Sequence, residues 1–147
     1  MAKPYNIREY CPNDYRGVLT LWQQTGLGGA HRGDNEKTIA LSIALGGKFF
    51  VVEDTATDTI VGTSWMTFDG RRLHLHHFGI QPQLQKTGIG TDLAIESLAF
   101  AKEKKIQVKL EVHKDNLKAI NLYRKLGFEY LGDYDVYIIR DVEGLKG

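Results

Sequence analysis

Cysteine is nearly absent: Cys11 is the only one in 147 residues. That excludes an intramolecular disulfide and a cysteine metal cluster. No apolar run approaches the roughly 20 residues of a membrane helix, and the opening Met-Ala-Lys-Pro-Tyr-Asn lacks the apolar core of a secretion signal. Neither sign of charge predominates, the net being +1. Composition therefore gives no argument for nucleic acid or an acidic membrane surface as partner. Repeats, low-complexity tracts and linkers are also missing. The expectation is a single cytoplasmic domain over residues 1–147, long enough for a proper core.

The informative stretch begins at Leu73-His74-Leu75-His76, whose alternation is that of a half-buried strand. Pro82 stops the strand, because proline cannot donate to the ladder. From Asp92 to Lys105 the apolar residues Leu93, Ala94, Ile95, Leu98 and Ala101 fall at helical spacing, acids first and lysines last, as the helix dipole prefers. Between strand and helix lies Gln85-Lys86-Thr87-Gly88-Ile89-Gly90-Thr91. Gly88 and Gly90 permit a sharp turn and close approach of a ligand. Backbone N–H groups opening onto a helix N-terminus bind phosphate, and Lys86 adds positive charge. A short Gly-x-Gly is also compatible with a plain strand-to-helix turn.

A phase slip marks the strand before this loop. Leu73 and Leu75 are apolar at odd positions, Phe78 and Ile80 at even ones. One extra residue at His76-His77, a β-bulge, would account for the switch; so would a strand end buried on both faces.

Elsewhere the pattern predicts a strand from Tyr5, a helix from Pro12 to Thr25 with Val18, Leu19, Leu21 and Trp22 inward, and a helix over 35–45 with Ile39, Ile43 and Ala44 inward. Strands over 48–54 and 59–68 follow, and Asp69-Gly70 signals a hairpin into the histidine-rich strand. Further strands are expected over 107–112, 128–131 and 136–139, the last two joined at Gly132-Asp133. Asp115 or Asn116 caps a helix that stops at Gly127, with Ala119, Ile120, Tyr123 and Leu126 inward. The order is βααβββαβαββ: an α/β (α+β) fold with a mixed, mostly antiparallel sheet of about seven strands flanked by four helices. The glycine-rich loop 26–34 is not followed by Gly-Lys-Ser/Thr and follows a helix, so it reads as a connector rather than a nucleotide loop.

Two motifs in order carry a resemblance. Gln85-Lys86-Thr87-Gly88-Ile89-Gly90 is similar to the acetyl-coenzyme A loop, Gln/Arg-x-x-Gly-x-Gly/Ala, of the GNAT (GCN5-related N-acetyltransferase) superfamily. Asn116, Ala119, Tyr123, Gly127 and Phe128 match its later Asn-x-x-Ala-x-x-x-Tyr-x-x-x-Gly-Phe pattern. The resemblance is firm over 48–141. It implies a V-shaped splay between the fourth and fifth strands, with the cofactor in the gap. It also implies acetyl-coenzyme A as cofactor, an amine acceptor and no metal. Phe78, Gly79 and Ile80 would then bind the thioester carbonyl and pantetheine arm, and Gln85, Lys86, Thr87, Gly88, Ile89, Gly90 and Thr91 the pyrophosphate. Asn116 would meet the pantetheine arm, unless it serves only as a helix cap. Loop 26–34 would border the acceptor.

For catalysis the resemblance makes Tyr123 the acid beside the coenzyme A sulfur, with a buried core tyrosine as the plain alternative. A phenol with pKa about 10 is protonated at neutral pH and able to donate. Glu111 is the candidate base, or a surface glutamate paired with Lys109 or Lys114. His74, His76 and His77 are rivals because histidine titrates near neutrality, His76 foremost. Spaced by two and one on a strand, they do not converge on a metal. Glu111 also resembles the base of the bacterial ribosomal-protein alanine acetyltransferases, but the short Gly132-Asp133 connection leaves an open groove. A small-molecule amine is therefore expected first and a peptide or ribosomal-protein amine second. A non-catalytic coenzyme A-binding module is the competing class. Dimerisation is common in the superfamily, and the sequence does not decide it.

Overall fold

The computed structural model describes residues 4–28 and 33–147. Its elements are β1 (Tyr5–Glu9), α1 (Tyr15–Thr25), α2 (Glu36–Ala44), β2 (Lys48–Asp54), β3 (Thr59–Phe68), β4 (Leu73–Ile80), α3 (Ile89–Lys104), β5 (Val108–Leu110) and α4 (Leu117–Lys125). The strands lie side by side in sequence order. Pairing is antiparallel from β1 to β4, and β5 runs parallel to β4.

Local chemistry fixes the joints. The Asn35 side chain accepts from Thr38 N–H at 3.0 Å and starts α2; the Asn116 side chain accepts from Ala119 N–H at 3.3 Å and starts α4. Asp69 accepts from the backbone N–H groups of Arg71 and Arg72, both at 2.7 Å, and holds the β3–β4 hairpin. In α2 only Ile39 of the expected inner residues is buried; Ile43 and Ala44 are exposed. Ser42 accounts for the difference: it accepts from Trp65 Nε1–H at 2.8 Å, so the inward position of that turn is polar and Ile43 is turned out.

Two apolar clusters pack the sheet. One face joins Val52, Met66, Leu73, Leu75, Ile80, Ile89, Leu93 and Tyr123 under α3 and α4. The other joins Val18, Trp22, Ile39, Phe49, Val51 and Trp65 under α1 and α2.

β4 serves both faces through a bulge. Thr63 pairs with Gly79 and Trp65 with His76, so two steps along β3 answer three along β4. The extra residue falls at the expected phase slip, and His77 takes a left-handed φ of 43°. Thr63 Oγ1 donates to the His77 carbonyl at 2.8 Å and accepts from Trp22 Nε1–H at 3.0 Å, so the distortion is pinned from α1. The bulge lets His76 and His77 share one face, their rings 6.2 Å apart, while Phe78 and Ile80 return to the other.

Beyond α4 the structure departs from the sequence pattern. Among the described residues β5 is the last strand, so the sheet has five strands rather than about seven. Gly132 and Asp133 do form a left-handed turn (φ 57° and 54°), but 128–131 and 136–139 are not paired as strands. Tyr130, Val136, Tyr137, Ile138 and Ile139 are exposed. Alternation makes a strand only where an edge receives it, and β5 offers three residues instead of the six expected over 107–112.

Candidate active site

β4 and β5 pair only at Leu73–Val108, His74–Lys109 and Leu75–Leu110. β5 then ends while β4 continues to Ile80. The segment from His76 to Ile80 is thus left without a paired strand on that side. Pairing between the fourth and fifth strands therefore stops at Leu75.

The glycine loop lies at the end of the same segment. Pro82–Leu84 forms a 3-10 turn, Lys86 and Gly88 adopt left-handed φ of 69° and 89°, and α3 begins at Ile89. Gly88 is the N-cap and supplies no side chain to the first-turn N–H groups. Gln85 Nε2 donates to the Ile80 carbonyl at 3.4 Å and Thr87 Oγ1 to the Leu84 carbonyl at 2.5 Å, tying the loop to β4 and to its own turn. Ile89 is buried and anchors the helix, whereas Gln85, Lys86, Thr87, Gly88 and Thr91 are exposed. A Cβ on Gly90 would come no closer than 3.8 Å to Ile80, so the fold itself does not demand glycine there. An uncapped helix start with open glycines and an adjacent lysine suits a pyrophosphate.

Tyr123 is 9% exposed, edge-on to Phe78 at 6.1 Å and to Phe128 at 5.5 Å. Burial pushes its pKa up to about 12, so the phenol keeps its proton at neutral pH. The motif thus brings Phe78 and Tyr123 together across 45 positions. Asn116 acts as the α4 cap.

Glu111 follows β5 directly and is exposed. Continuing the Leu75–Leu110 register by one step sets Glu111 against His76, whose ring feels the Glu111 charge. Partial burial, then the neighbouring His77 and His74, lower the His76 pKa; Glu111 and Asp34 oppose this. His76 is exposed to solvent, and its Nε2 lies 2.9 Å from Thr67 Oγ1. His74 lies 3.1 Å from Asp69 instead, at the far end of the strand.

His77, ranked behind His76 on sequence, is the most enclosed of the three. Its Nε2 lies 2.8 Å from Asp34 Oδ2, and its ring lies 4.8 Å from Trp22 and 5.5 Å from Trp65. Of the expected acceptor loop, Leu27, Gly28 and Asp34 pack on the bulge, and 29–32 lie outside the described residues. A 43-residue separation hides the Asp34–His77 contact from sequence inspection.

Among the described residues no three His, Cys, Asp or Glu side chains are grouped to hold a metal, and no helix is long and apolar enough to cross a membrane. A cavity of about 470 Å³ between α1 and the β2–β3 turn is lined by Asp14, Glu53 and Gln81 among others. Its carboxylates Asp14 and Glu53 are engaged by Arg8.

Known proteins are similar to this chain in sequence and in fold. A mycothiol acetyltransferase from Mycolicibacterium smegmatis is 35% identical over 85 residues, covering 54% of this chain and 29% of that protein. The N-alpha-acetyltransferase RimI of Mycobacterium tuberculosis is 37% identical over 78 residues, covering 50% of this chain and 48% of that one. The chain thus spans less than half the length of these curated relatives. A GNAT-family acetyltransferase from Staphylococcus aureus superposes with a TM-score of 0.75 at 20% identity, over 89% of each chain. The ribosomal-protein-S18-alanine N-acetyltransferase of Escherichia coli gives 0.71 at 20% identity, over 85% of this chain and 77% of that one. These structural likenesses establish a shared fold, and the family model for the Acetyltransferase (GNAT) family matches residues 16–128. On that match the chain belongs to the GNAT acetyltransferase family, whose members use acetyl-coenzyme A as co-substrate.

Proposed function

We propose that this chain moves an acetyl group from acetyl-coenzyme A directly to a primary amine, a small-molecule amine in the first instance. One observation carries the reading: β4 loses its partner beside an uncapped, glycine-opened α3 N-terminus, with a buried phenol against Phe78. Acetyl-coenzyme A supplies an activated acyl group as its thioester. Gln85, Lys86, Thr87, Gly88, Ile89, Gly90 and Thr91 hold its pyrophosphate through backbone N–H groups and the Lys86 charge. Phe78, Gly79 and Ile80, which have no strand partner on the β5 side, would offer backbone N–H groups to the pantetheine arm and to the thioester carbonyl, where they stabilise developing negative charge. Asn116, the N-cap of α4, would meet the pantetheine arm from the start of that helix.

Tyr123 gives its proton to the departing sulfur, and burial keeps that proton in place beforehand. Glu111 takes a proton from the incoming amine. His76 stands beside it as the second candidate, favoured by a lowered pKa that leaves its imidazole neutral. Amine and cofactor would then arrive from opposite faces of β4.

A peptide amine is the second reading. It is supported by the likeness to the RimI protein and by the position of Glu111. A module that holds coenzyme A without transferring is separated from both by activity.

Calorimetric titration with acetyl-coenzyme A tests the proposal. Micromolar binding is expected, lost by at least 100-fold in Gly90→Glu, which sets a carboxylate where the pyrophosphate belongs. The Cβ has room, so the variant should fold. Thiol release with small amines and with alanine-headed peptides then ranks the acceptors. Absence of binding by the folded wild type would sink the reading.

A further inference from the structure

The last stretch of the chain and the outer edge of β5 are complementary. Among the described residues β5 stands at the end of the strand order, with β4 on one side and no strand on the other. After α4, Phe128 is anchored: its N–H donates to the Tyr123 carbonyl at 3.0 Å, and its ring packs on Tyr123. Beyond it, seven large apolar side chains between Tyr130 and Ile139 are 61–89% exposed. Gly132 and Asp133 both hold left-handed φ, as the two central residues of a tight hairpin turn must. The turn is formed, yet its arms 128–131 and 136–139 have no ladder. Charge is matched as well. The stretch 128–143 holds Glu129, Asp133, Asp135, Asp141 and Glu143 against Arg140 alone. Residues 102–114, which run into and out of β5, hold five lysines against Glu103 and Glu111.

We infer that two copies of this chain form a symmetric dimer, in which the hairpin 128–139 of each copy pairs along the β5 edge of the other. One chain carries an open edge and an unpaired hairpin at the same time. Two copies supply each other with both, so the contact closes on itself instead of growing into a fibre. The exposed side chains of the hairpin offer on the order of 1,000 Å² per copy, against roughly 800 Å² per partner in a stable interface. The acidic hairpin is drawn to the lysines around β5, and two acidic hairpins repel, which selects the reciprocal arrangement over hairpin against hairpin. A partner strand also lets β5 run past Leu110, as the alternation of Gln107 to Val112 requires. Nothing in this pairing depends on acetyl transfer.

Light scattering across a concentration series tests the dimer. At micromolar concentration the mass should be twice the 16.6 kDa of one chain. Ile138 is exposed in the single chain, so Ile138→Lys should keep the fold. It should weaken association at least 100-fold by placing a charge in the centre of the contact. Lys109→Glu, on the receiving edge, should weaken it about tenfold. Amide hydrogen exchange, read by mass spectrometry, locates the contact. Protection over 107–112 and 128–139 should rise together with protein concentration and be lost in Ile138→Lys. A monomer at every concentration would overturn the dimer. So would a mass that climbs beyond two copies, or a dimer that persists in Ile138→Lys. Protection of both stretches at all concentrations would mean that the hairpin pairs with β5 of its own chain, which also sinks the exchange between copies. A dimer whose 107–112 and 128–139 amides exchange freely would place the contact elsewhere and refute it.

Discussion

The two faces of β4 are built for different work. One carries Leu73, Leu75, Phe78 and Ile80 into the apolar cluster with Tyr123. The other carries His74, His76 and His77 toward Trp22, Trp65 and the α1–α2 connector. In an unbroken strand His77 would fall on the apolar face, because side chains alternate with period two. The single extra residue moves it across, and the same distortion frees backbone from the ladder. One local irregularity thus separates an apolar side, where the Tyr123 phenol keeps its proton, from a polar side that carries the three histidines.

The separation breaks most severely through the two proposed proton carriers. Tyr123→Phe removes the phenol and keeps the ring against Phe78 and Phe128. It should lower kcat by about 10²–10⁴, the usual range for a general acid, with the acetyl-coenzyme A Kd nearly unchanged by calorimetry. Glu111→Gln should lower kcat/KM for the amine on the other face by a similar or smaller factor. Equal losses of cofactor affinity in both variants would mean that the two faces do not divide the labour.

Much of this was legible in sequence, because it was written locally. The Asp69-Gly70 hairpin, the Asn116 cap and the stop at Gly127 depend on neighbours within a few positions. The bulge was visible too, as a change of parity between Leu75 and Phe78. Less accessible were features decided by distant partners. Asp34 finds His77 across 43 positions. Ile43 is exposed because Trp65 claims Ser42. The stretch 136–139 reads as a strand, yet the sheet presents it no paired edge. Periodicity reports a preference for burial, and the surrounding fold decides whether burial is on offer.

A smaller effect sharpens the comparison by attacking the bulge itself. Thr63 is fully buried, and its hydroxyl links Trp22 to the His77 carbonyl. Thr63→Val keeps the shape and strands one buried donor and one buried acceptor. The expected loss is about 2–4 kcal/mol, or a Tm lower by roughly 5–15 °C for a chain of this size. Thermal unfolding measures it. If the bulge is what puts His77 on the polar face, tryptophan quenching should rise in the same variant. A lowered Tm with unchanged quenching would assign Thr63 to stability alone.

The smallest effect is in pH. The His76 pKa is lowered by partial burial and by the adjacent histidines. Protonation is therefore disfavoured in the folded chain, and the imidazole stays neutral below the ordinary 6.5. Two consequences carry opposite signs. As pH falls through 6.5 the unfolded chain binds this proton first, so stability declines on acidification. Catalysis by a His76 base would persist into the same range and fail only when the folded imidazole is protonated. His76→Asn should thus flatten the acid-side decline in stability whatever the residue does in catalysis. It should lower kcat/KM about tenfold and shift the acid limb only if His76, rather than Glu111, receives the amine proton. A pH–rate profile of His76→Asn beside that of Glu111→Gln separates the two. An acid limb that survives in His76→Asn and disappears in Glu111→Gln assigns the base to the carboxylate, and leaves His76 as the neighbour that keeps its surroundings uncharged.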